Sequence, residues 1–319
     1  MPDSPTPVVA LAGGVGAARM LAGIIQEVDP VSVTAVVNTG DDLTIHGLRV
    51  CPDLDTVTYT LSGETNPETG WGRRDETWQA MDELRRLSGD RLGWFNLGDR
   101  DIGVHLYRTT RLGEGAGLAA VAGEIASRFG LRVRLLPMTE TPVATRVTLA
   151  ESGREVGFQE YFVGLRHDVA VSAVRFDGVE SAKPTPGVTE ALEGAARIVI
   201  CPSNPVVSIG PVLAMKEISA AVSARRDATV AVSPIIAGKA LKGPADRLLR
   251  ELGHQPTVVG VARMWAPYAS ALIIDEADVD LAPEVEKQGV VPVVTKTVMS
   301  GSSEAAALAR VVLAGAARR

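Results

Sequence analysis

Two largely apolar runs lie close together near the start of the chain, Val8-Val9-Ala10-Leu11-Ala12 and residues 31–37. Runs of this length, rich in β-branched residues, predict strands buried on both faces. Between them a glycine turn, Gly13-Gly14-Val15-Gly16, leads into helical spacing through about Glu27. The unit predicts a βαβ opening with a right-handed crossover. Helical spacing then covers residues 53–61, 75–87, 100–109 and 116–129, with a loop at 64–73 and Gly130 as a stop. After a short strand at 132–136 the period falls to two: residues 144–150 and 155–159 alternate around Ser152-Gly153, as an antiparallel hairpin does. A strand at 169–174 and a short helix at 188–194 follow. The buried-strand pattern resumes at Ile198-Val199-Ile200, then a helix near 212–224, a strand at 229–232 and a helix at 244–252. Strands near Val258 and Leu272, a strand at 291–294 and an alanine-rich helix at 303–317 complete the chain. The alternation predicts an α/β fold: one Rossmann-like, doubly wound, mostly parallel sheet over 1–319, with a helical insertion at about 56–130 and a hairpin excursion at about 140–168.

Composition narrows the function. With 46% hydrophobic and 22% charged residues among 319, the chain can bury a large core. A formal charge of −6 without any basic block argues against a nucleic-acid partner. No apolar segment approaches the ~20 residues of a membrane span. Cys51 and Cys201 stand far apart, outside metal-ligand spacing, and no leader pattern precedes Val8; a cytoplasmic location is expected. The proline-rich residues 1–7 read as a loose tail.

The densest chemistry is Asn38-Thr39-Gly40-Asp41-Asp42 with Cys51-Pro52-Asp53-Leu54-Asp55-Thr56, which sets four carboxylates within fifteen residues after a buried strand. Open α/β sheets place ligands at the carboxyl ends of their strands. The acids there either cap helices and turns or hold a hard divalent cation, which in turn suits phosphate. The glycine turn is either a tight strand–helix connection or a diphosphate-binding loop. Arg19 stands where a dinucleotide fingerprint has its third glycine, and no Walker sequence occurs. In Asn96-Leu97-Gly98-Asp99-Arg100-Asp101, the acids either cap a helix or hold a hydroxyl and position a base. Pro202-Ser203-Asn204-Pro205 through Ser208 and Gly210, and Ser233-Pro234 through Gly238, are rigid strand-end loops that suit a nucleotide.

Taken in order, these motifs, with Gly70-Trp71-Gly72 and Leu136-Pro137-Met138-Thr139, resemble the CofD/FbiA family of 2-phospho-L-lactate or phosphoenolpyruvate transferases of coenzyme F-420 biosynthesis. The resemblance spans nearly the whole chain. It implies that a lactyl- or enolpyruvyl-bearing guanosine diphosphate gives its substituted phosphate to the ribityl hydroxyl of the deazaflavin Fo, releasing GMP, with Mg²⁺. It implies Asp41, Asp42 and Asp55 as metal ligands, and Asp55, Asn96 and Asp101 at the Fo site, where some relatives have Lys in place of Asn96. Gly13, Gly14, Gly16, Ser203, Asn204, Ser208, Gly210, Ser233 and Gly238 would cradle the nucleotide. Asp55 and Asp99 are the base candidates, and a homodimer is expected. As a cleft residue, Asp55 replaced by Asn is expected to leave the fold intact. Two rivals remain: a nucleotide-sugar-binding regulator of a related non-catalytic family with a Gly-Gly-Gly-Thr-Gly opening, and an NAD-dependent oxidoreductase. The first looks to lack Pro52-Asp53-Leu54-Asp55-Thr56 and Leu97-Gly98-Asp99-Arg100-Asp101. The second has no use for four acids beside its phosphates.

Overall fold

The computed structural model describes residues 6–315; most of the expected N-terminal tail (1–5) and the end of the last expected helix (316–317) lie outside the described residues. Seven strands form the central sheet, numbered here in chain order: β1 Val8–Ala12, β2 Val33–Val37, β3 Arg134–Pro137, β4 Arg197–Ile200, β5 Thr229–Val232, β6 Ala271–Asp275 and β7 Val291–Thr295. Their spatial order is β7-β6-β5-β4-β1-β2-β3, and every pairing is parallel. Alternate residues serve the two faces. Val9, Leu11, Ile198 and Ile200 enter one core, while Val8, Ala10, Ala12 and Val199 enter the other. Burial on both sides is why the central strands are mostly apolar.

Among the described residues twelve α-helices accompany the sheet: α1 Gly14–Glu27, α2 Pro52–Leu61, α3 Gln79–Ser88, α4 Asp99–Gly113, α5 Leu118–Arg128, α6 Val188–Gly194, α7 Gly210–Ala214, α8 Lys216–Ala224, α9 Ala245–Glu251, α10 Val258–Trp265, α11 Ala282–Glu286 and α12 Ser302–Ala314. Helices α2 to α5 all fall between β2 and β3, and the antiparallel strands Ala144–Leu149, Glu155–Gly157 and Val171–Asp177 form a small separate sheet. The strand order reverses at β1 and β4, because β1 leads rightward to β2 and the chain later returns to β4 on its other side. The crevice beyond their carboxyl ends is the topological switch point, where such folds bind ligands.

The structure differs from the sequence pattern in several places, four of them near the site or in the helices. Residues near Val258 form helix α10: Thr257 caps it by accepting from the Gly260 amide (3.3 Å), and a short apolar run does not distinguish strand from helix. The helix expected from 75 begins at Gln79, where Asp99 from across the loop caps the amides of Gln79 and Ala80. Met215, extended at ψ 116°, breaks the expected 212–224 helix into α7 and α8. A small hairpin, Leu43–Ile45 with Leu48–Val50, separates the two acidic segments.

Candidate functional site

The turn after β1 and the loop after β4 are one packed unit. Gly14 adopts φ +71°, a conformation that a side chain disfavours. A methyl group on Gly16 would stand 2.0 Å from the Pro202 carbonyl oxygen, and one on Gly13 would stand 2.9 Å from Ser208 Cβ. The structure therefore brings Gly13, Gly14, Gly16, Ser203, Asn204 and Ser208 together at the switch point. Asn204 folds its own loop, its Oδ1 accepting from the amides of Val206 (2.9 Å) and Val207 (3.3 Å). The hydroxyl of buried Ser203 has no partner. Gly210 packs against Phe176 and the Pro205 carbonyl. Ser233 is occupied by its own turn, donating to the Ile235 carbonyl and accepting from the Ile235 amide, and Gly238 takes φ +77° in the turn that follows.

Asn38 joins this unit to the acids. Fully buried at the end of β2, it donates to Asp53 Oδ2 (2.9 Å) and accepts from the Gly40 amide (2.8 Å). Asp53 Oδ1 in turn accepts from the Gly14 amide at 2.7 Å. Burial raises the Asp53 pKa to about 6, against the pull of these two donors. Asp41 is buried, and its Oδ1 has no partner; burial first, then the neighbouring Asp53, hold its pKa well above the carboxylate range. Asp42 pairs through one oxygen with Arg49 (3.0 Å), while its Oδ1 is unpartnered and burial lifts it to about 7. Such carboxylates are short of positive charge.

Asp55 differs. Arg108 of α4 grips it with both guanidinium nitrogens, one at 3.1 Å, and also donates to His105 Nδ1 at 3.2 Å. Burial draws the His105 pKa down to about 4. Asp101 lies beyond this pair, beside Tyr59, with its Oδ1 unpartnered; burial and then the Asp55 charge raise it to about 7. Asp99 is spent on capping, accepting from the Thr77 hydroxyl (2.5 Å) and the amides of Gln79 and Ala80 (both 3.0 Å). Asn96 is exposed and accepts from Arg85 at 2.6 Å.

The expected metal ligands Asp41, Asp42 and Asp55 do not form one cage. Among the described residues no three His, Cys, Asp or Glu side chains could hold an ion by themselves. The charge of Asp55 is already met by Arg108. Mg²⁺ commonly takes one or two protein carboxylates and completes its shell with water and phosphate oxygens. The unpartnered oxygens of Asp41 and Asp42 fit that smaller share.

Sequence reasoning passed over Asn38, Arg49 and Arg108 as site residues and left Asp53 between cap and ligand. Asn38 carried a signal, since a polar residue ending a buried strand needs partners. Arg108 carried none, because it meets Asp55 only once α4 is folded against the Leu48–Val50 strand.

Comparison with known proteins places the chain in a family. Residues 8–307 match the family of 2-phospho-L-lactate transferase CofD. The "Phosphoenolpyruvate transferase" of Streptomyces griseus subsp. griseus is 43% identical over 312 residues, covering 96% of this chain and 97% of that one. The protein of the same name from Thermobifida fusca is 44% identical over 284 residues, covering 86% and 87%. A crystal structure of a Bacillus halodurans member of the UPF0052 family superposes with a TM-score of 0.65 at 17% identity, covering 96% of this chain and 99% of that one; it supports the fold alone. Among the described residues, no helix is long and apolar enough to cross a membrane. The chain belongs to the CofD family and is a transferase.

Proposed function

We propose that the protein moves a phosphoenolpyruvyl group, or its 2-phospho-L-lactyl counterpart, from a guanosine-diphosphate-linked donor to the ribityl hydroxyl of Fo, forming the (dehydro) coenzyme F-420-0 phosphodiester. The names of the curated relatives favour the enolpyruvyl donor. One observation carries the reading: partnerless carboxylate oxygens of Asp41 and Asp42 belong to a buried acid network that Asn38 and Asp53 tie to the glycine turn at the switch point. A cation-dependent transfer of a pyrophosphate-linked group needs both halves of that arrangement.

The start of α1 after the glycine turn, with its first-turn amides beyond Gly14, holds the donor's phosphates, and the partnerless Ser203 hydroxyl of the adjoining loop adds a donor. Asp41 and Asp42 would hold Mg²⁺, which would supply neutralisation of phosphate charge. The Fo hydroxyl oxygen forms a bond to the distal phosphorus, the bond from phosphorus to the GMP oxygen breaks, and the electron pair leaves with GMP. Asp101, with a pKa near 7 and a free oxygen, accepts the hydroxyl proton. Asp55 has a positioning role, because Arg108 already holds both its oxygens. Incubating the protein with Fo, Mg²⁺ and each donor, and following the adduct and GMP by mass spectrometry, tests the reading. Absence of any adduct together with unchanged Fo fluorescence on titration overturns it.

A further inference from the structure

Two cations meet at the rim of the glycine turn, and the site described above does not use them. Gly70, in the loop between α2 and α3, lies against Val15 in the first turn of α1: a methyl built on Gly70 would stand 3.4 Å from Val15 Cγ1. The same methyl would stand 3.0 Å from Lys242 Nζ and 3.7 Å from Arg19 Nη2. Lys242 comes from the loop after β5, on the other half of the sheet, and Arg19 from α1 itself. Lys242 donates to the Thr69 carbonyl (3.1 Å) and Arg19 to the Met299 carbonyl (3.2 Å). Among the described residues neither forms an ion pair, although most other basic side chains near the insertion do, Arg49, Arg73, Arg100 and Arg108 among them.

Two like charges brought together over one glycine repel each other unless an anion lies between them. Main-chain carbonyls orient them without neutralising them. Beneath them the positive end of a 14-residue helix opens, and the partnerless Ser203 hydroxyl lies in the loop packed on Gly16. Arg19, Lys242 and the first turn of α1 thus gather around Gly70, and the two cations come from separate chain segments. Arg19 occupies the position where a dinucleotide fold has a glycine for close packing, so the chain has a guanidinium there in place of a contact.

We propose that Arg19 and Lys242 are the phosphate grip of this site, holding the distal, group-bearing phosphate of a nucleoside-diphosphate donor across the glycine turn. The proposal rests on the transfer reading above for the identity of the donor, but not for the anion chemistry. Lys242 exchanges its carbonyl contact for a charge-assisted one, which also draws the loop after β5 toward the loop before α3.

Calorimetric titration with inorganic pyrophosphate, GDP and guanosine separates the outcomes. Lys242→Met and Arg19→Gln should each weaken pyrophosphate and GDP binding by about tenfold or more, as loss of a charge-assisted contact does, and leave guanosine binding unchanged. Arg19→Lys, which keeps the positive charge, should restore most of the loss relative to Arg19→Gln, whose amide can still reach the Met299 carbonyl. Variants that bind pyrophosphate and GDP as tightly as the parent protein overturn the grip and leave the transferase reading standing. A parent protein that binds pyrophosphate through these two residues but makes no adduct with Fo and leaves its fluorescence unchanged sustains the grip and removes Fo as the acceptor. Failure of the parent protein to bind either pyrophosphate or GDP overturns the grip.

Discussion

Arg108 of α4 and Asp55 of α2, 53 residues apart in sequence, form a two-pronged ion pair that is 2% and 6% exposed. The pair ties α4 to α2, the helix that carries Asp53 and Asp55. It also changes what Asp55 can do: a carboxylate closed by a guanidinium is a poor open ligand, and its removal leaves a buried positive charge. Breaking such a pair from one side costs about 3–5 kcal/mol. Asp55→Asn and Arg108→Met should therefore each lower the urea midpoint strongly, against the expectation that a cleft isostere leaves the fold intact. A midpoint within error of the parent protein would show that the pair is not formed in solution.

The raised carboxylates predict an unusual pH response. Asp53 (about 6), Asp42 and Asp101 (both about 7) keep protons in the folded chain that the unfolded chain releases near its ordinary value of 3.8. The folded state then binds more protons than the unfolded one between those values. Their contribution to stability is complete below about pH 4 and is lost as pH rises through 6 to 7. Mg²⁺ should offset the loss, so its stabilising effect in thermal melts should be larger at pH 8 than at pH 5. Asp42→Asn should flatten the metal-free profile and shrink the Mg²⁺ shift; an unchanged profile would remove Asp42 from the account.

Gly16 and Gly14 serve different ends and should tolerate alanine differently. At Gly16 the new methyl meets the Pro202 carbonyl at 2.0 Å, so α1 must move off the loop after β4. A stability loss of about 1–3 kcal/mol, as overpacking causes, should accompany loss of turnover. At Gly14 nothing lies nearer than 4.0 Å, and only the φ of +71° resists. The cost there should be about 1–2 kcal/mol of backbone strain. Denaturant unfolding of the two variants makes the comparison, and a more damaged Gly14→Ala protein would contradict it.

Asn38→Ala removes the donor to Asp53 and the acceptor for the Gly40 amide in a fully buried place. An unsatisfied buried polar group costs about 1–3 kcal/mol, so the variant should melt earlier. Because Asp53 and Gly40 lose their common anchor, Mg²⁺-dependent stabilisation should fall as well. A lower melting temperature with intact Mg²⁺ response would confine Asn38 to packing.

Asp99→Ala tests a carboxylate that sequence spacing made a candidate base. Its oxygens accept from Thr77, Gln79 and Ala80, which holds the start of α3. Loss of such a cap costs about 1 kcal/mol, and turnover should be retained within a few-fold. A loss of turnover near a hundredfold with normal stability would return Asp99 to the chemistry.

The chain's own pattern was enough for the parallel core, the glycine turn after β1, the helical stretch between β2 and β3, the hairpin around Ser152-Gly153, and the gathering of acids at the carboxyl edge. Each of these follows from neighbours in sequence: largely apolar runs, period-two alternation, turn residues and capping residues act over a few positions. The roles of the acids were set at longer range. Asp41, Asp42, Asp53 and Asp55 look alike in one dimension, yet Arg108 neutralises Asp55, Asn38 and the Gly14 amide hold Asp53, and Asp41 and Asp42 keep a free oxygen. What separates them is the charge and donors that folding brings within 3 Å or so, and electrostatics in a buried crevice depends on those neighbours far more than on residue type. The same holds for Asp99, whose capped helix starts 20 residues earlier, and for Lys242 and Arg19, which meet only after the sheet has closed between them.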